Sequence, residues 1–114
     1  MSSSEWRRTM KSIVLAHGGK SPFAKRLLRE LERSTRRRRE VNLSHLQRVA
    51  DNGEVVFVPG KVLGGGLIKK KLTVGAFAFS STAYRKIMEA GGEALTLGEF
   101  MTRYGRGAGV RLVG

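Results

Sequence analysis

Apolar residues fall at Trp6, Met10, Ile13 and Val14, a helical spacing, after a serine at position 4 that can cap the first turn. The His17-Gly18-Gly19 stretch ends that pattern. Ser21 followed by Pro22 opens a second helix. It carries Phe23, Ala24, Leu27, Leu28 and Leu31 on one side and Lys25, Arg26, Arg29 and Arg33 on the other. After Glu40 the period changes. Val41-Asn42-Leu43 reads as extended, and Ser44 with Gln47 has the spacing of a capping box for a short helix through Leu46, Val49 and Ala50, closed by Asp51-Asn52-Gly53. Glu54 to Val58 is a β-branched and aromatic run stopped by Pro59-Gly60, and Leu72 to Phe79 is a second one, so VPGKVLGGGLIKKKLTV bridges two strands.

Beyond Phe79, one of Ser80, Ser81 or Thr82 caps a helix through Ala83, Tyr84, Ile87, Met88 and Ala90 that Gly91-Gly92 stops. Ala94-Leu95 is briefly extended. Thr96 and Glu99 form a capping box ahead of Leu97, Phe100, Met101 and Tyr104, and a glycine-rich turn leads into a last strand over Val110 to Val113. Short strands alternate with short helices from residue 41 onward. The pattern therefore predicts an α/β fold with small sheets and two helices in front, organised as a basic helical layer over residues 1–40 and a compact α/β part over 41–114, one structural domain in all. Aromatic residues make up only 7% of the chain, which predicts an aliphatic core.

Charge alters this picture most. Twenty-two lysines and arginines against nine acids give the 114 residues a net charge of +13, with +8 on residues 1–40 and +5 on the remainder. Such an excess seeks a polyanion. There is no cysteine, which excludes disulfides and thiolate metal sites, and no apolar run approaches the ~20 residues that cross a bilayer. The chain reads as intracellular.

Two sharper chemistries fail on spacing. Gly19-Lys20-Ser21 ends like a phosphate loop, but the motif needs glycine where Val14 stands, and the glycines at 60, 64, 65 and 66 fit no nucleotide fingerprint. His17 and His45 are isolated, and neither paired carboxylates nor three metal ligands occur at a usable spacing, so no catalysis, cofactor, metal or small-molecule substrate is expected. The cations that remain form clusters: Arg36, Arg37, Arg38 and Arg39; Lys61; Lys69, Lys70 and Lys71; and Arg103, Arg106 and Arg111. Several stand beside glycines, which let backbone N–H groups approach phosphates. Phosphate contact is the reading of these eleven residues, with shape-reading of folded RNA preferred to a regular duplex.

The stretches VNLSHLQRVA, GEVVFVPGKVLGGG, KKKLTVGAFAFS, AYRKIMEAGGEALTLGEF and GRGAGVRLVG, in this order, resemble the archaeal and eukaryotic large-subunit ribosomal protein family eighteen-e, itself related to bacterial large-subunit protein fifteen. The resemblance covers about residues 36–114, and the short length is similar to archaeal members. Residues 1–35 share the two basic helices but little wording. The resemblance implies an irregular superhelix of strand-strand-helix units, a structural role on the ribosome, and large-subunit ribosomal RNA and neighbouring ribosomal proteins as partners. It implies neither catalysis nor cofactor. Composition alone fits a nonspecific nucleic-acid-packaging protein equally well, and the basic amphipathic helix at Trp6 to Val14 offers a third reading, an anionic membrane surface.

Overall fold

The computed structural model describes residues 3–33 and 38–114. The element order is α1 (Ser3–Gly18), α2 (Pro22–Leu31), β1 (Arg39–Asn42), α3 (Leu43–Val49), β2 (Val55–Leu63), β3 (Thr73–Phe79), α4 (Ser81–Glu89), β4 (Glu93–Leu95), α5 (Leu97–Tyr104) and β5 (Val110–Leu112). The α/β class and the two leading helices stand as expected. All five strands join one sheet, and every pairing is parallel, in the order β1-β2-β3-β4. β5 shares the outer edge of β2 with β1. It pairs with Val55–Phe57, while β1 pairs with Gly60–Leu63.

Alternation along the central strands divides the core. Val56, Val58, Val74 and Ala76 face α3 and α4, where Leu43, Leu46, Ala83 and Ile87 complete an aliphatic layer. Phe57 and Leu95 face the other way, toward Val14 of α1, Phe23, Leu27 and Leu31 of α2, and Phe100 and Met101 of α5. The aliphatic-core expectation holds on the first face and fails on the second. Although aromatics are few, six of them gather there in a chain of ring contacts. Trp6 meets Phe77 at 5.9 Å between centroids, Phe77 meets Phe57 at 5.7 Å, and Phe57 meets Phe100 at 5.0 Å; Phe23 and Tyr104 close the group. Gly75 makes this possible, because a Cβ on that strand would overlap Phe100 and stand 2.7 Å from Phe57 Cδ2.

Two boundaries differ from the sequence reading. β2 does not stop at Pro59-Gly60 but runs on to Leu63. Val58 pairs with Ala76 and Lys61 with Ala78, so Pro59 and Gly60 together oppose Phe77 alone: a bulge, where a missing N–H is tolerated. Gly60 also lets β1 lie close, since a side chain there would strike the Arg39 carbonyl. The second difference is α3, which has Asn42 at its cap with no side-chain capping bond, rather than a box from Ser44 and Gln47. Both Asn42 and Gln47 are engaged elsewhere, as described next.

The caps of α2, α4 and α5 match the sequence, whereas Ser4, expected as the cap of α1, lies within that helix, which already includes Ser3. Ser21 Oγ accepts from Ala24 N, Ser80 Oγ from Ala83 N, and Thr96 and Glu99 bond reciprocally.

Candidate nucleic-acid interface

Consecutive strands that run parallel in one sheet need a crossover whether or not they are neighbours, and three of the connections supply one with a helix: α3 between β1 and β2, α4 between β3 and β4, α5 between β4 and β5. Between β2 and β3 the crossover is the glycine- and lysine-bearing segment 64–72, which carries no helix. It must return from the carboxyl to the amino end of the sheet, and it does so over α3. Asn42 Oδ1 accepts from Gly65 N at 3.1 Å, and Ser44 N donates back to the Gly65 carbonyl at 3.0 Å. Gln47 Oε1 accepts from the backbone of both Lys69 (2.9 Å) and Lys70 (3.2 Å). Asn52 Oδ1 accepts from Lys71 N at 2.7 Å, and Gly53 N donates to the Lys71 carbonyl at 2.7 Å. From the other side, Lys86 Nζ donates to the Gly64 and Gly66 carbonyls at 2.9 and 3.0 Å. The segment is thus fixed by side chains of α3, α4 and the turn after α3, a substitute for the internal ladder of a helix.

This framework separates the lysine run. Lys70 is half-buried and its ammonium donates to the Ala50 carbonyl at 2.6 Å, closing the carboxyl end of α3. Lys69 and Lys71 are exposed, and their ammonium groups have no hydrogen-bond or ion-pair partner among the described residues. Lys61, on β2 just past the bulge, is exposed and unpartnered in the same sense. Periodicity along the chain carries no sign of the roles of Asn42, Gln47, Asn52 and Lys86, because their partners lie some twenty residues away.

At the amino end of the sheet the topology collects Lys70, Lys71, Arg103, Arg106 and Arg111. Two of these are ion-paired. Arg103 grips both oxygens of Glu93 at 3.0 and 2.8 Å, which raises the guanidinium pKa and holds the Glu93 carboxyl below the usual carboxylate range. Arg111 Nε donates to Glu54 at 2.9 Å. The Glu54 carboxyl is likewise held low, first by the Asp51 backbone N–H and then by Arg111. Arg106 is exposed with no partner among the described residues.

The arginine block is distributed differently. Arg36 and Arg37 lie outside the described residues. Arg38 is half-buried with its guanidinium 4.6 Å above the Trp6 ring centroid, and Arg39 Nη1 donates to the Gly114 carbonyl. Three acids elsewhere are engaged: Glu30, only 2% exposed, bonds Arg26 and Arg33, Glu32 bonds Lys11, and Glu89 bonds Arg85. No group of three metal-ligating side chains occurs among the described residues, and no helix of the described chain is long and apolar enough to cross a membrane.

Comparison with known proteins agrees with this architecture. The family of ribosomal protein 60S L18 and 50S L18e matches over residues 10–114, so the likeness reaches into α1 and α2, further forward than the 36–114 read from the sequence. Large ribosomal subunit protein eL18 of Pyrobaculum aerophilum is 51% identical over 83 residues, 73% of this chain and 68% of that protein. The eL18 of Methanococcus maripaludis is 39% identical over 93 residues, covering 82% and 78%. That of Archaeoglobus fulgidus is 38% identical over 107 residues, 92% of each chain. With these matches over this fold, the chain belongs to the L18/L18e family of large-subunit ribosomal proteins, structural constituents of the cytoplasmic ribosome and not enzymes.

Proposed function

We propose that this protein binds and stabilises folded large-subunit ribosomal RNA, with the segment 64–72 and the bulged strand beside it as its principal RNA-facing surface. The observation that carries the reading is the way α3, Asn42, Asn52 and Lys86 fix that segment: backbone groups of Gly64, Gly65, Gly66, Lys69, Lys70 and Lys71 are held by hydrogen bonds, while Lys61, Lys69 and Lys71 keep free ammonium groups. Cations on a pre-ordered backbone lose little conformational freedom on meeting phosphates, which makes them effective ligands for RNA. Lys70 belongs to the framework rather than to the phosphate-facing group. Arg106 is a further proposed RNA contact, Arg36 and Arg37 are proposed as contacts on their sequence alone, and Arg39, Arg103 and Arg111 contribute to the field while engaged with their protein partners. Neighbouring ribosomal proteins are the other proposed partners.

The test is RNA binding as a function of salt. Replacing Lys61, Lys69 and Lys71 by Ala lowers the slope of log affinity against log salt by up to about 0.9 for each phosphate no longer neutralised. Lys70→Ala, by contrast, lowers thermal stability and changes the slope little. A triple variant with wild-type slope removes this surface from the interface. Equal affinity for duplex DNA and large-subunit RNA replaces the proposal with nonspecific packaging.

A further inference from the structure

Arg7 and Arg38 come from different parts of the chain, the first turns of α1 and the approach to β1, yet the Arg38 guanidinium lies over the ring of Trp6, the residue next to Arg7. Arg38 is held flat. Its guanidinium lies 4.6 Å from the Trp6 centroid and 5.7 Å from that of Phe77, and these two rings meet edge to face. A stacked guanidinium is fixed in orientation but keeps its in-plane N–H groups for other partners.

Those partners are missing. Neither Arg7 nor Arg38 makes a hydrogen bond or ion pair with a described residue, and the Nε of each is buried with no acceptor. Glu32, the carboxylate on which the charge of Arg7 acts, is engaged with Lys11, and Glu30 with Arg26 and Arg33. Arg7 influences the Glu32 carboxyl only weakly, behind Lys11. Burial, with Arg7 adding to it, draws the Arg38 pKa below its ordinary value, as expected of two like charges with no anion between them. Buried donors without acceptors are rare and costly, and here one belongs to the arginine stacked on Trp6 and the other to the arginine that follows Trp6 in α1. An oxyanion bridging the outer Nη groups would satisfy donors and charge together, and the fork of a guanidinium matches the edge of a phosphate.

We infer that Arg7 and Arg38, braced by Trp6 and Phe77, form a two-arginine phosphate site. Resting on the function proposed above, its occupant is a backbone phosphate of large-subunit RNA, at a place separate from the segment 64–72. The site joins the amino-terminal helix to the start of the sheet through a ligand that is not protein.

The first experiment needs no RNA. Inorganic phosphate is titrated into the full chain while the arginine Nε–H resonances are followed by NMR. Arg7 and Arg38 shift together along one saturating curve, whereas the exposed, unpartnered Arg29 and Arg106 shift weakly and without saturation. Arg38→Met abolishes saturation at Arg7, and Arg38→Lys, which keeps the charge and the fold, weakens it. Arg7 and Arg38 behaving like Arg29 and Arg106, or an Arg7 curve indifferent to Arg38→Lys and Arg38→Met, overturns the site. In the second arm the double variant Arg7→Lys, Arg38→Lys binds large-subunit RNA roughly tenfold more weakly than wild type, because two charged forks are removed. Wild-type affinity in that variant overturns the RNA assignment. Saturable phosphate binding by a chain that fails to bind RNA at all leaves the site standing and rejects the function proposed above.

Discussion

Gly75 shows how a single position sets the size of the aromatic layer. It lies in a central strand with its missing side chain turned toward Phe100 and Phe57, both fully buried. Any Cβ there must push a ring aside in a packed core. Gly75→Val is therefore expected to destabilise the fold by about 3 kcal/mol, against a gain of well under 1 kcal/mol from better strand propensity. Chemical denaturation of the two proteins measures the difference; equal midpoints would mean that the rings are free to move. Gly60 works by the same exclusion but toward backbone, since the Arg39 carbonyl cannot rotate away as a ring can. At this scale the sequence shows a glycine and not its reason, because the reason lies on another strand or helix.

At the scale of elements, the crossover 64–72 depends on α3 in a way that predicts a coupled loss. Gln47→Ala removes the acceptor for two backbone N–H groups at once, at a cost of about 1–2 kcal/mol. Faster amide exchange confined to Lys69 and Lys70 is the signature, and protection equal to wild type would show that water replaces the carbonyl without penalty. Elements whose signals are local are legible from the chain: α2 from Ser21-Pro22, α4 from Ser80, α5 from Thr96 and Glu99. What is not legible depends on distant pairing. Pro59-Gly60 reads locally as a stop, yet β1 and β3 hold the strand through it by ladders on both sides. Three consecutive lysines look alike in sequence, and only the carbonyl of Ala50 separates the middle one from its neighbours. Likewise Asn42 and Gln47 read as the start of a strand-to-helix junction, and only the folded crossover shows what their side chains hold.

For the whole molecule, +13 on 114 residues means that the folded chain repels itself wherever carboxylates do not intervene. Raising the salt from about 0.02 to 0.3 M shortens the reach of these charges from roughly 20 Å to below 10 Å. The melting temperature is expected to rise by several degrees over that range, each kcal/mol recovered being worth roughly 4 °C. A fall would show that the surface pairs Arg103–Glu93 and Arg111–Glu54 outweigh the general repulsion. The parallel order of the strands has a consequence of another kind. Among the described residues no strand pairs with a neighbour across a tight hairpin, and the flank of β2 at Val55–Phe57 is completed by Val110–Leu112. During synthesis, then, the sheet cannot be completed until Val110–Leu112 has left the exit tunnel, well after the strands it joins. Until that last strand arrives, the flank of β2 at Val55–Phe57 stays an open apolar edge, the kind of feature from which misassembly starts.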